Sequence, residues 1–254
     1  MIPGLYVYAI GRAGHPPAND VEQLTEGALA AFFARVDLRD YSQETIDARA
    51  KDVEWLGAIG YRHQETMTRL MHGGTILPLR AFTLFGSDDA LRARLRDDAE
   101  RYAKVLDRLD GKQEWTLRIE LAPEPWSEAL TRRVASLGAL TEEIAAASAG
   151  KAFLLRKKLD EAKKQASREA EQTLVAEIEQ AVMTKLACDT VAESRQQRDG
   201  AFPQLNVLLN RDEEARLQEL VADLTARYDA DGVSVALTGP WPPYSFASLD
   251  LRHD

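Results

Sequence analysis

Cysteine is almost absent from this chain, with Cys188 alone in 254 residues. One thiol makes no intrachain disulfide and no cysteine-based zinc cluster, and it fits a reducing compartment. Long hydrophobic runs are missing too. No stretch approaches the roughly 18 apolar residues of a membrane-crossing helix, and the start Met1-Ile2-Pro3-Gly4 lacks a basic region followed by an apolar one. The expectation is a soluble, cytoplasmic protein with no membrane span.

Histidine is scarce, at His15, His63, His72 and His253. His63 lies seven residues from both Leu56 and Leu70, which puts it on the apolar side of a helix as a core or boundary residue rather than a catalytic base. The chain has no His-x3-His pair, HExxH, G-x-S-x-G elbow, P-loop or G-x-G-x-x-G after a strand, so no metal, cofactor or nucleophile is expected. An enzyme on this chain would need a pocket of convergent polar groups with perturbed pKa values, and no constellation in the sequence announces one. Positive charge is also in deficit: the net charge is −9 and the pI near 5.1. That argues against a nucleic-acid binder, which holds phosphates mainly with clustered Lys and Arg, though a local basic patch can still exist. Arg156-Lys157-Lys158 and Lys163-Lys164 are interrupted by Asp160 and Glu161 and read as a solvated helix face.

What is present is an ordinary globular composition, 45% hydrophobic and 29% charged, in a chain longer than one typical domain. The pattern predicts two domains. Leu5 to Ile10 is a strand, Gly14 to Asp20 a loop, and Leu29 to Leu38 a second strand or strand pair. Thr45 to Met71 has helical spacing, with Ser42 as N-cap and Gly73-Gly74 as the stop. A strand over Thr75 to Phe82 must place Pro78 at an edge or bulge, since proline has no N–H to donate. Ser87 then starts a helix that runs to Gly111, and Trp115 to Leu121 alternates as a strand.

Pro123 and Pro125 break the chain, and residues 127–189 read as helical throughout. Leu174, Ile178 and Val182 form a narrow apolar stripe there, which suits a helix packed along one side and exposed on the other. Gly200 to Pro203 is a loop and Leu205 to Leu209 a strand. Asn210 and Glu213 have the spacing of a capping box for a helix to Tyr228, and Asp231-Gly232 turns the chain into a last strand, Val233 to Leu237. Strand, helices, strand, helix, strand is the order a split β-α-β, ferredoxin-like sheet needs.

Directly after that strand comes Thr238-Gly239-Pro240-Trp241-Pro242-Pro243-Tyr244-Ser245-Phe246. Three prolines stiffen the backbone, so Trp241, Tyr244 and Phe246 lose little entropy on docking. Either they anchor a partner or they fold back and close the core; both readings stay open.

This segment resembles the C-terminal signature T-G-P-W-P-P-Y-S-F of the gas vesicle GvpF/GvpL family. Leu5-Tyr6-Val7-Tyr8 resembles the family's opening strand, Trp55 to His63 its long helix, and Glu114-Trp115 its mid-chain strand entrance. Gly150 to Lys158 resembles its G-x-A-[YF]-L motif, and Ile76-Leu77-Pro78-Leu79-Arg80 through Phe85 its L-P-x-R-F-G-T-x-F segment. In that last segment Arg80-Ala81-Phe82-Thr83 stands where R-F-G-T is commoner, and the loss of glycine argues against a required positive φ.

The resemblance implies an α+β fold with an N-terminal α+β domain over 1–111 and a C-terminal modified ferredoxin-like domain over 112–254, carrying a helical insertion at about 127–189. It also implies a non-enzymatic accessory protein, cytoplasmic or on the gas vesicle, that binds the small hydrophobic shell subunit and other gas vesicle proteins and helps nucleate or build the vesicle. The alternative is a scaffold for other accessory proteins rather than for the shell subunit. Candidate interaction or family-motif residues are Gly239, Pro240, Trp241, Pro242, Pro243, Tyr244, Phe246, Leu77, Pro78 and Arg80. An open strand edge and the aromatic tail are the two surfaces expected to meet a partner.

Overall fold

A computed structural model of the chain describes residues 2–193 and 204–247. The expected loop at Gly200 to Pro203 and His253 lie outside the described residues. The chain divides into two compact units, one of residues 1–114 with 240–254 and the other of residues 115–239. The division differs from the expected 112–254 at the chain's end, because residues 240–247 pack with the N-terminal unit.

The first unit is built on the sheet order β2-β3-β1-β4, from β1 (Pro3–Arg12), β2 (Glu22–Glu26), β3 (Leu29–Asp37) and β4 (Ile76–Pro78), with β5 (Leu84–Phe85) pairing to β1. β1 is buried from Gly4 to Gly11, as a central strand covered on both faces must be. A register shift between Val7 and Ala9 marks a bulge at Tyr8. The bulge resets the alternation, so Tyr6 and Tyr8 before it and Ala9 after it all join one core with Phe32, Met67 and Leu70. Pro78 stands in the edge strand β4, paired with Ala9 of β1 alone.

The single helix expected from Thr45 to Met71 is two, α1 (Gln43–Arg49) and α2 (Val53–Gly73). Ser42 caps α1 by accepting from the Thr45 amide, as expected, but Asp52 caps a fresh start by accepting from Trp55. An aspartate that can satisfy an orphan amide competes with continuation of the helix, and periodicity alone does not register that choice. Ser87 caps α3 (Asp88–Asp97), which breaks at Asp98 before α4 (Ala99–Leu109).

The second unit has the order β7-β8-β6-β9, from β6 (Lys112–Leu121), β7 (Cys188–Glu193), β8 (Gln204–Asn210) and β9 (Val233–Trp241). Numbered within the unit this is 2-3-1-4, the ferredoxin-like arrangement. Its first crossover is enlarged to three helices, α5 (Pro123–Arg133), α6 (Ala135–Ala146) and α7 (Ala149–Lys185). The expected continuous helix over 127–189 is corrected at both ends. Pro123 begins α5 rather than breaking the chain, because a first-turn proline forfeits no helical hydrogen bond. At the far end β7 starts at Cys188, where the chain pairs antiparallel with β8.

The last helix, α8 (Glu214–Tyr228), follows a 3-10 turn, and Asn210 makes no side-chain cap bond, so the expected capping box does not form. Leu174, Ile178 and Val182 of α7 and Leu217, Leu220 and Leu224 of α8 close the core over Trp115, Leu117 and Ile119 of β6. At Gly232 φ is +72°, and a Cβ there would stand 2.5 Å from Pro125 Cβ, so this turn accepts only glycine. β9 runs on to Trp241, which makes Thr238 to Trp241 part of the strand rather than a tail beyond it.

Candidate functional site

His63 of α2 is the hub of the N-terminal unit. Its Nδ1 lies 3.0 Å from the Tyr6 hydroxyl and its Nε2 lies 2.7 Å from that of Tyr244. A neutral imidazole has one N–H and one lone pair, so one tyrosine donates to the ring while the other accepts from it. The Phe82 amide donates to the Tyr6 oxygen at 3.2 Å. Burial lowers the His63 pKa, with the Leu79 backbone opposing it in part. Burial likewise pushes Tyr6 up to about 12 and raises Tyr244. Each shift favours the uncharged form, as expected of a buried polar cluster whose members satisfy one another.

The tail reaches this hub through a second contact. Glu114, 4% exposed, accepts from the Ser245 amide at 3.0 Å and from the Ser245 hydroxyl at 2.7 Å. Phe246 is buried, with the Arg108 guanidinium 5.7 Å from its ring centroid. Pro242 and Pro243 are buried as well, while Gly239 and Pro240 are exposed. Trp241 and Tyr244 keep 38% of their surface open. The two readings of the aromatic segment thus divide by residue: Phe246 closes the core, and Trp241 and Tyr244 each present one side outward.

The other candidate residues approach the same place from β4. Leu77 and Pro78 are buried and pair with Ile10 and Ala9 of β1. Arg80 is exposed, and its carbonyl accepts from both the amide and the hydroxyl of Thr83. Between them Phe82 has φ +65°. The turn therefore does take a positive φ, contrary to the expectation drawn from its missing glycine. The ring offsets that strain by packing 6.4 Å from Tyr6, 6.2 Å from Tyr41 and 6.1 Å from Trp55, centroid to centroid. A line of rings runs from Tyr244 through His63, Tyr6 and Phe82 to Trp55 near the start of α2.

That start is the feature the sequence reading missed. Val53 is 81% exposed and Tyr61 72%, and Leu56 is exposed beside them. Gly57 and Gly60 lie on the same side, and a Cβ built at either would meet nothing within 4 Å. An exposed mid-helix glycine costs about 1 kcal/mol against alanine, and nothing in this unit needs either one. The signal was legible as G-x-x-G between apolar residues, inside a stretch whose helical period and family resemblance say nothing of which side is covered. The strand edges are blunted. Glu22 and Glu26 on β2 are held by Arg35 at 3.0 Å and by Arg92 and Arg96 at 3.3 and 3.2 Å, and β4 carries Pro78.

Among the described residues no group of three or more His, Cys, Asp or Glu is placed to hold a metal ion. No described helix is long and apolar enough to cross a membrane.

The chain matches, over residues 4–248, the family model described as gas vesicle synthesis protein GvpL/GvpF. It is 27% identical to gas vesicle protein L of Streptomyces sp. (strain CB03234), covering 96% of this chain and 92% of that one. It is 35% identical to gas vesicle protein L2 of Halobacterium salinarum over 68% of this chain and 64% of the relative. The fold is that of the crystal structure of gas vesicle protein GvpF from Anabaena sp. PCC7120, with a TM-score of 0.72 at 13% identity over 96% of this chain and 98% of the other. GvpF from Microcystis aeruginosa gives 0.66 at 12% identity, over 98% of this chain and all of that one.

Proposed function

This chain belongs to the gas vesicle GvpL/GvpF family, and from that premise we propose that it is a non-enzymatic assembly factor that binds the small hydrophobic shell subunit and helps nucleate or build the vesicle. A subunit that must present an apolar face to gas is prone to aggregate before it assembles. A soluble acidic partner with an apolar docking face counters that by covering it.

The observation that carries the reading is the exposed start of α2. Gly57 and Gly60 let a partner's backbone approach closely, and Val53, Leu56 and Tyr61 offer apolar area around them. The candidate motif residues support the reading by bracing that helix: Tyr244 bonds to His63, and the turn after Arg80 sets Phe82 against Tyr6 and Trp55. The open sides of Trp241 and Tyr244 extend the proposed contact.

Pull-down with the shell subunit tests this, using the full chain and its Gly60→Glu and Val53→Glu variants. The expected result is retention by the parent chain and at least a tenfold loss in each variant, because a buried unpaired charge costs several kcal/mol, with circular dichroism unchanged. Retention of other vesicle proteins but not of the shell subunit would establish the scaffold role instead. If nothing is retained and deletion leaves vesicles normal, neither role survives.

A further inference from the structure

Helix α7 carries a segregation of charge of which its own unit uses only part: Lys151 pairs with Glu143, Lys163 donates to Ser127, and Glu177 accepts from Tyr228. From Lys151 to Arg168 it holds seven basic residues against two acidic ones, and from Glu169 to Thr184 four glutamates and no basic residue, before Lys185 in the last turn. Lys185 apart, the helix macrodipole does not call for this order, since it favours acidic groups at the N-terminal end and basic groups at the C-terminal end. Intrahelical stability therefore does not account for it. The same helix leaves Leu154 67% and Met183 54% exposed, near its two ends.

We propose that the outward face of α7 pairs antiparallel with α7 of a second copy of this chain. A two-fold contact between identical helices places residue i of one copy against residue j of the other and repeats the pair as j against i. With Leu154 set against Met183, the positions facing each other sum to 337, and two basic residues of the face come opposite glutamates while Glu161 meets Ala176. Lys158 then faces Glu179, a half-exposed carboxylate that also accepts from Thr190. Gln165 faces Gln172. At the dyad Arg168 faces Glu169, both exposed, and Arg168 has no ion-pair partner among the described residues.

These outward positions recur at the three- and four-residue spacing of one helix face. Basic half meets acidic half, the macrodipoles run antiparallel, and each end covers an exposed leucine with a methionine. A parallel pairing would set the basic halves against each other, so the charge pattern selects one direction.

Sedimentation of the full chain at low and high salt, across a concentration series, tests the pairing. The expected result is a reversible dimer that weakens with salt. Arg168→Glu or Glu169→Lys alone should weaken it about tenfold, since each creates two like-charge contacts across the dyad. The double swap Arg168→Glu with Glu169→Lys should restore it, which a loss of folding would not do.

In a Cys188→Ser background, Arg168→Cys should cross-link readily to its own counterpart at the dyad. Leu154→Cys should not, because antiparallel pairing separates the two copies of that position by about 43 Å along the axis. A chain that stays monomeric at low salt, a dimer indifferent to the charge swaps, or equal cross-linking at both positions overturns the proposal.

Discussion

At the scale of single residues, His63 holds two tyrosines from opposite ends of the chain, Tyr6 and Tyr244. Its position followed from helical spacing, but its partners did not, because the hydrogen bond to Tyr244 spans 181 residues. The shift of its pKa sets a pH dependence. Burial lowers the folded value below the ordinary 6.5, so the unfolded chain takes up a proton that the folded chain refuses. The contribution of His63 to stability is therefore complete above pH 6.5 and is lost as pH falls from there through the folded value. Urea midpoints for the parent and His63→Gln should diverge at neutral pH and converge as the pH falls below 6.5. A constant gap would mean that the imidazole does not titrate differently on folding.

At the scale of elements, the β4-to-β5 turn shows a local rule overridden by packing. Glycine is the ordinary occupant of a positive φ, and Phe82 takes that conformation at +65° because three aromatic rings hold it there. Two variants separate backbone strain from ring packing. Phe82→Ala loses the packing and keeps the strain, whereas Phe82→Gly loses the packing and relieves the strain. Both should be less stable than the parent, with the glycine variant about 1 kcal/mol more stable than the alanine one in chemical denaturation. Equal stabilities would show that the turn relaxes to negative φ once the ring is gone. The break between α1 and α2 follows similar logic, for Asp52 and its cap bond outweigh a period that runs straight through them.

At the scale of the whole molecule, the end of the chain belongs to the unit that begins it. Phe246 is fully buried there and Ser245 satisfies the buried Glu114. A chain ending at Gly239 should lose roughly 3–5 kcal/mol of stability in the N-terminal unit, the cost typical of deleting one buried phenylalanine. Hydrogen exchange would report it as lost amide protection in β1 and α2, with β8 and α8 keeping theirs. Undiminished protection in β1 would mean that the tail is no part of that core.

The sequence by itself determined the family, the α+β class and the ferredoxin-like order of elements, because these rest on local signals: alternation, helical period, turn residues and short contiguous motifs. It also placed Pro78 at an edge, since a missing N–H is a property of the residue alone. Only the tertiary structure decided that Phe246 is core while Trp241 and Tyr244 keep an open side, that Glu114 waits for Ser245, and that Val53, Gly57, Gly60 and Tyr61 face outward. Those outcomes depend on which distant surfaces meet. A helical period says that one side is apolar, but whether that side is covered is settled by what the rest of the chain brings against it.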